Sequence, residues 1–522
     1  FSETMARKHT LCLAVATALA ASALLNGCSD AARKDNTLVI LHTNDTHSQI
    51  DPTRKNLGGV MRRMAAIDSI RRHNGNVMLV DAGDAVQGTL YFYLYGGRVE
   101  QEVLNIMGLD EGILGNHEFD NGIDSLASVL RLRNRKLIST NYDVNDTPLD
   151  TLLIPYSVRE YGGKRIGIMG LNLDPEGMIS DDNSEGIDFR PIVATANATA
   201  DMLRSRENVD AVIALTHIGY NPAGLVGDSV LARNSRGIDI IIGGHSHDVI
   251  DPATERGAAR SRLTDLDGKE VLVVQTGKSG MNLGKIEINL DSLGKGGRPS
   301  YELIPVDSRF DGHTEPRLQA LLDRYSPGVD SLMHMWVGTA PQALPDSSTR
   351  LINFFTDFVL SRGRQLAPGV DLAIANKGGI RASLPQGQFS KGHIINMLPF
   401  RNYVTVVDVE GDDLLEIFRV MAKTAGNGVS ANVRATYTDG DEGFELGEVL
   451  IDGRPLDPEK TYRVATIDYL AKGGDYMKAF REGDGVADSP TWVYDDLLEY
   501  FTTGAGAGRP LTGDPEPRWR KQ

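Results

Sequence analysis

The chain has 522 residues and carries 54 Lys and Arg against 70 Asp and Glu, a formal charge of −16. Its 41% hydrophobic and 24% charged content, with 56 Gly, excludes a disordered chain, a coiled coil and a collagen-like repeat. The negative balance argues against nucleic-acid binding, which would show a basic footprint, yet admits an anionic small substrate, because bound cations invert the local field.

Met5 is expected to be the start, followed by the positive Arg7, Lys8 and His9 and an apolar run over 11–25. A helix of that length rises only ~22 Å, short of a ~30 Å hydrocarbon core, so 1–28 reads as a signal peptide and not as a membrane span. Asn26-Gly27-Cys28 resembles the bacterial lipobox, which implies an exported lipoprotein anchored through Cys28 in the cell envelope, facing periplasm or surface. Ordinary signal-peptidase cleavage, with Cys28 incidental, is the other reading. Residues 29–36 are expected to form a tether. Cys12 and Cys28 are the two cysteines, so the processed chain offers no thiol nucleophile, Cys-ligated zinc or iron–sulfur cluster.

Next come short apolar runs at 38–41, 77–80, 165–169, 211–215 and 238–242, each the length of a buried strand. Amphipathic stretches at 60–72, 123–133 and 192–206 alternate with them. This alternation predicts an α/β domain over 37–309, its sheet covered by helices. The runs 269–274 and 283–290 are expected to close that domain as an antiparallel pair about the turn-rich 277–280. A helical linker is expected over 310–334. A smaller α/β domain over 335–503 follows, with helices near 352–362 and 412–423 and strands near 404–409 and 462–466. The Gly- and Pro-rich 504–522 segment is expected to be loose.

The first domain's apolar runs lead into polar segments. These are Asn44-Asp45-Thr46-His47, Asp81-Ala82-Gly83-Asp84, Thr216-His217 and Gly243-Gly244-His245-Ser246-His247, with Gly115-Asn116-His117-Glu118-Phe119-Asp120 between. Open α/β sheets place ligands at the carboxyl ends of their strands. Asp45/His47 and His245/His247 are spaced i, i+2, which in extended backbone puts both side chains on one face. Asp84 offers two acceptor oxygens and can bridge, Asn116 offers a neutral oxygen, and neutral imidazoles suit zinc, manganese or iron. The set predicts two divalent ions ~3.5–4 Å apart, able to activate water and clamp a phosphoryl group. His42, His73, His313, His334 and His393 lack such a setting and read as ordinary histidines.

In order and type, this series resembles the calcineurin-like metallophosphoesterases, and Gly-Asn-His-Glu-Phe-Asp resembles their 5′-nucleotidase and UDP-sugar hydrolase branch. The resemblance spans nearly all of the chain beyond the signal segment. It implies a four-layer β-sandwich flanked by helices, with Asp45, His47, Asp84 and His247 around one ion and Asp84, Asn116, His217 and His245 around the other. It further implies that His117, oriented by Asp120, stabilises the transferring phosphoryl group and protonates the leaving oxygen.

In the second domain, Asn376-Lys377-Gly378-Gly379-Ile380-Arg381 is a tight turn ending in a cation, which alone is either a surface charge or a phosphate fork. Phe400 and Tyr469 alone read equally as core. The resemblance assigns Phe400 and Tyr469 to the base, Asp475 to ribose, and Asn376 with Arg381 to phosphate, and implies that this domain rotates to carry substrate to the metals. Where the family has a Glu and an upstream Arg, this chain has Ser348-Thr349-Arg350-Leu351-Ile352-Asn353. Arg350 and Lys377 are candidates to replace the lost charge.

The implied activity is 5′-nucleotidase: release of phosphate from nucleoside 5′-monophosphates, with the nucleotide as partner and no nucleic acid or protein partner. A 2′,3′-cyclic-nucleotide phosphodiesterase or UDP-sugar hydrolase is the alternative within the class. A surface nucleotide-binding protein without turnover is the alternative outside it.

Overall fold

The structure is a computed structural model describing residues 36–222, 224–293, 295, 297–440 and 443–522. The expected signal segment, Cys28 and the tether up to residue 35 lie outside the described residues.

Two sheets face each other in the first domain. One has the order Ser300–Pro305, Asn282–Asn289, Thr37–Thr43, Asn76–Asp81, Glu111–Gly112. The other runs Arg262–Thr264, Glu270–Val274, Ile240–Ile242, Ala211–His217, Lys164–Asn172, Tyr156–Tyr161. In the first sheet the pairings on the Ser300–Pro305 side, up to Thr37–Thr43, are antiparallel and the remaining two are parallel. In the second the three central pairings are parallel and the two outer ones antiparallel.

Side chains alternate along each strand. Leu38 and Ile40 meet Ile213 and Ile242 of the opposite sheet, whereas Val39 and Leu41 meet Val60, Met64 and Ile67 of helix Val60–His73. On the far side, Val212 and Ala214 meet Ala196, Ala200 and Leu203 of helix Ile192–Ser205. Burial on both faces is why these strands read as unbroken apolar runs. The result is the expected layering of helices, sheet, sheet and helices.

The expected closing hairpin is corrected. Glu270–Val274 pairs with Ile240–Ile242 in one sheet, and Asn282–Asn289 pairs with Thr37–Thr43 in the other. The turn-rich segment between them crosses from sheet to sheet: Gly277 donates its N–H to Asp248 and Ser279 to Asp45. Two apolar strands beside a turn look like a hairpin in sequence, and only the packing of the sheets separates them.

Helix Pro316–Met333 links the domains, with Leu318, Leu321 and Tyr325 packed into the first domain's core. The second domain has a five-stranded sheet ordered Gly428–Val429, Leu372–Ala375, Thr461–Ile467, Val404–Glu410, Asp484–Asp488. It packs on helices Thr349–Leu366 and Gly411–Ala422.

The expected loose tail is also corrected. Trp519–Lys521 adds a parallel strand to Val433–Gly440, and buried Arg518 is bidentate to Asp357 at 2.8 and 2.6 Å. Gly and Pro prevent a helix here but leave backbone and anchoring side chains free to dock.

Candidate active site

Five strand ends of the first domain converge. Ligand atoms of Asp45, His47 and His247 form one group, and those of Asp84, His217 and His245 a second. The Nε2 atoms of His47 and His247 lie 2.9 Å apart, and Asp45 Oδ1 is 3.4 Å from His247 Nε2. Asp84 Oδ2 is 3.1 Å from His217 Nε2 and 4.0 Å from His47 Nε2, so it stands between the groups. Asn116 Oδ1 lies 3.0 Å from His245 Nδ1.

The i, i+2 pairs reach one face by a route other than the one expected. Asp45, His47, Asp84, His245 and His247 all have left-handed backbone, with φ of 50°, 48°, 52°, 76° and 56°. They sit in turns just past the strands, where Asp and His tolerate positive φ better than most residues. Glycine is required close by: a Cβ on Gly115 would lie 2.1 Å from Asp84 Oδ1.

These side chains suit divalent cations. The His217 Nδ1–H donates to Ala82 O at 2.7 Å, which turns Nε2 and its lone pair toward Asp84. Nε2 itself is buried without a hydrogen-bond partner among the described residues. Burial works against a charged His217, but Asp84 and Asp45 overcome it and lift its pKa to about 10. A proton there occupies the place a cation would take. Burial, then the charge of His217, holds His245 down at about 4, and burial followed by Arg381 keeps His47 well below its usual value. The site thus contains ready imidazole lone pairs beside carboxylates.

Glu118, whose role the motif did not disclose, secures two of the loops. Oε2 accepts the backbone N–H of Asp84 at 3.1 Å and of Gly115 at 2.5 Å, and Oε1 that of Ala85 at 2.9 Å. Asn44 does similar work, donating to Asp45 Oδ2 at 2.6 Å and to Gly277 O at 2.8 Å.

A cavity of about 570 Å³ opens from these groups between the domains. His117 and Asp120 line it, with His117 Nδ1 3.0 Å from Asp120 Oδ2. Burial opposes protonation of His117, and the Asp120 and Asp84 carboxylates raise its pKa nonetheless. Asn376, Arg381, Phe400, Tyr469 and Asp475 line the same cavity. Arg381 Nη2 comes within 3.5 Å of His47 Nε2, and the Phe400 ring centroid is 5.7 Å from that of His117. Asp475 accepts from Tyr469 Oη at 2.9 Å and from Asn376 Nδ2 at 2.8 Å.

Neither candidate for the lost charge reaches the cavity. Arg350 Nη1 donates to the carbonyls of Thr512 and Gly513 in the docked tail, and Lys377 is exposed on its turn and does not line the cavity. Arg401, Trp492 and the wall at 177–183 do line it. No sequence pattern marked them, because their place depends on how the two domains meet.

Residues 38–249 match the calcineurin-like phosphoesterase family, and residues 336–482 match the 5′-nucleotidase C-terminal domain. The trifunctional nucleotide phosphoesterase protein YfkN of Bacillus subtilis is 28% identical over 517 residues, covering 88% of this chain and 33% of that protein, so the chain spans about a third of that relative. The 5′-nucleotidase of Mus musculus is 28% identical over 494 residues, covering 85% of this chain and 84% of that protein. The crystal structure of a 5′-nucleotidase precursor from Thermus thermophilus superposes with a TM-score of 0.82 at 29% identity, over 93% of this chain and 99% of that one.

Proposed function

Because the chain belongs to the 5′-nucleotidase family of metal-dependent phosphoester hydrolases, we propose that it releases phosphate from nucleoside 5′-monophosphates in the cleft between its domains. The observation that carries this reading is the shared cavity: the fork of Arg381 stands 3.5 Å from His47 and beside the Phe400 ring, so a phosphate held by Arg381 lies against the metal-binding groups.

In this proposal Asp45, His47, Asp84 and His247 hold one divalent ion, and Asp84, Asn116, His217 and His245 the other. Bound there, such ions supply Lewis-acid activation of water and of the phosphoryl oxygens. Arg381 balances phosphate charge in a bidentate fork. His117, held through Nδ1 by Asp120, turns Nε2 to the cavity and protonates the departing oxygen. Phe400 and Tyr469 enclose the base, and stacking tolerates any base at ~1–3 kcal/mol each. Asp475 exchanges its hydrogen bond with Asn376 for ribose hydroxyls, which frees Asn376 Nδ2 to join Arg381 at the phosphate.

A wider range, with cyclic nucleotides or nucleotide sugars cleaved as well, is the second reading. It is supported by the further cavity walls at Arg401 and Trp492 and by the three activities in the name of the Bacillus relative. Export and anchoring through Cys28 belong to the proposal too. Among the described residues no helix is long and apolar enough to cross a membrane, and metabolic labelling with a fatty-acid analogue tests the anchor.

The decisive experiment is a panel of mononucleotides, cyclic nucleotides and nucleotide sugars assayed before and after chelation. Phosphate release from AMP is expected, lost on chelation and restored by zinc or manganese, and slowed at least about 100-fold by His217→Ala. Hydrolysis that survives chelation, or a His217→Ala protein as fast as wild type, would overturn the reading. Nucleotide binding without turnover in metal-replete buffer would replace it with the non-hydrolysing binder.

A further inference from the structure

One edge of the cavity is closed by charge. Lys472 Nζ lies 2.8 Å from Asp182 Oδ2, Lys478 Nζ 2.5 Å from Glu176 Oε1, and Arg481 Nη2 3.2 Å from Asp181 Oδ2. Every acid belongs to the 176–182 segment of the first domain and every cation to the 472–481 segment of the second. The signs are sorted by domain, so the attractions add. The same segments touch through Gly177 and Tyr476: a Cβ on Gly177 would lie 3.0 Å from Tyr476 Cδ1. Asp182, Lys472 and Arg481 also line the cavity, so the contact is part of its wall.

The domains also meet at Arg381, 3.5 Å from His47 inside the cavity, and through apolar groups away from it. Tyr93 packs edge-on against Tyr494 with centroids 5.6 Å apart, and Leu90 sits within the second domain's core. Those contacts are insensitive to salt. The charged edge is not, because its acids are well exposed: the side chains of Asp182, Asp181 and Glu176 are 76%, 68% and 54% accessible. Interactions of this kind are screened over ~10 Å at 0.1 M salt and ~3 Å at 1 M.

We infer that these three ion pairs form a salt-sensitive clasp that holds the cavity shut and parts to admit substrate and release product. An exposed pair shifts such a balance by about 1.4- to 5-fold, so the three together shift it on the order of ten-fold. The identity of what passes rests on the function proposed above; the clasp itself does not.

The test uses Glu176→Lys, Lys478→Glu and the double swap, since neither position lines the cavity. Small-angle scattering of the full chain without substrate gives the radius of gyration at about 20 mM and about 500 mM salt. KM and kcat for AMP are measured alongside. Wild type is expected to expand and its KM to rise with salt. Each single reversal is expected to match that state already at low salt, with KM raised about 3-fold or more and kcat not reduced, and the swap to restore wild-type values. Single reversals with wild-type dimensions at low salt, or a swap that restores nothing, would overturn the clasp. Scattering that responds while AMP is not hydrolysed leaves the clasp standing and sinks only the assigned reaction.

Discussion

Both carboxyl oxygens of Glu100, on helix Arg98–Met107, are buried without a hydrogen-bond partner among the described residues. Burial raises this carboxyl from 4.5 to about 7. Below pH 4.5 both folded and unfolded chains hold the proton, and the residue makes stability no worse. Between 4.5 and about 7 the unfolded chain releases it first, so stability falls as pH rises and then levels off. Lifting the carboxyl from 4.5 to about 7 costs on the order of 3 kcal/mol above pH 7. Glu100→Gln, which is neutral and isosteric, is expected to be no more stable than wild type at pH 4 and about 3 kcal/mol more stable at pH 8. Denaturant titrations at both values measure this, and parallel pH profiles for the two proteins would refute it. Glu118 is also raised to about 7 by burial and then by Asp84, yet it receives three backbone N–H groups. The candidate metal-binding loops therefore keep their buried carboxyl, whereas among the described residues the Glu100 oxygens receive no comparable set of donors.

The strand ends set the site at the scale of elements. Asp45, Asp84, His217 and His245 could be picked out in the sequence because each follows a run too apolar to be anything but a buried strand, and because their types share one chemistry. How those loops bend was not legible: four left-handed residues replace the two extended pairs, and glycine spacing alone does not reveal which neighbours take positive φ. The strands 270–274 and 282–289 were found but misplaced, since pairing is chosen by the faces they bury. The C-terminal strand was missed because its apolar content is a single Trp519, 5.8 Å from Phe418. Its anchor is polar. Arg518 is 3% exposed and bonds both Asp357 oxygens and, through Nη1, Val429 O at 2.6 Å. Arg518→Ala takes a donor from Val429 O and leaves the partly exposed Asp357 carboxylate with the Ala431 N–H at 2.9 Å, so the expected loss is about 1–3 kcal/mol, below that of a fully buried pair. Equilibrium unfolding of the variant reads this directly, and a loss under about 0.5 kcal/mol would show that the tail does not hold the second domain together.

On the scale of the whole molecule, the candidate metal-binding groups join the ends of two sheets whose facing interior is apolar. Asp45 and Asp84 follow strands of one sheet, and His217, His245 and His247 belong to or follow strands of the other. Ions bound among them would tie the sheets at the ends of their strands, while the second domain keeps a core of its own. A ligand that binds only the folded state adds about 2.7 kcal/mol at a concentration 100 times its Kd. For a domain of this size each kcal/mol moves the midpoint by about 2–4 °C. Calorimetry of the full chain is therefore expected to show the first domain's transition about 5–10 °C higher with saturating zinc or manganese than with a chelator, and the second domain's transition nearly unmoved. His217→Ala should remove most of that difference, since its Nε2 faces the bridging Asp84 at 3.1 Å. Equal shifts in both transitions would mean that the ions bind elsewhere or that the domains unfold as one unit. No shift in either would leave the converging side chains without the cations they are built to receive.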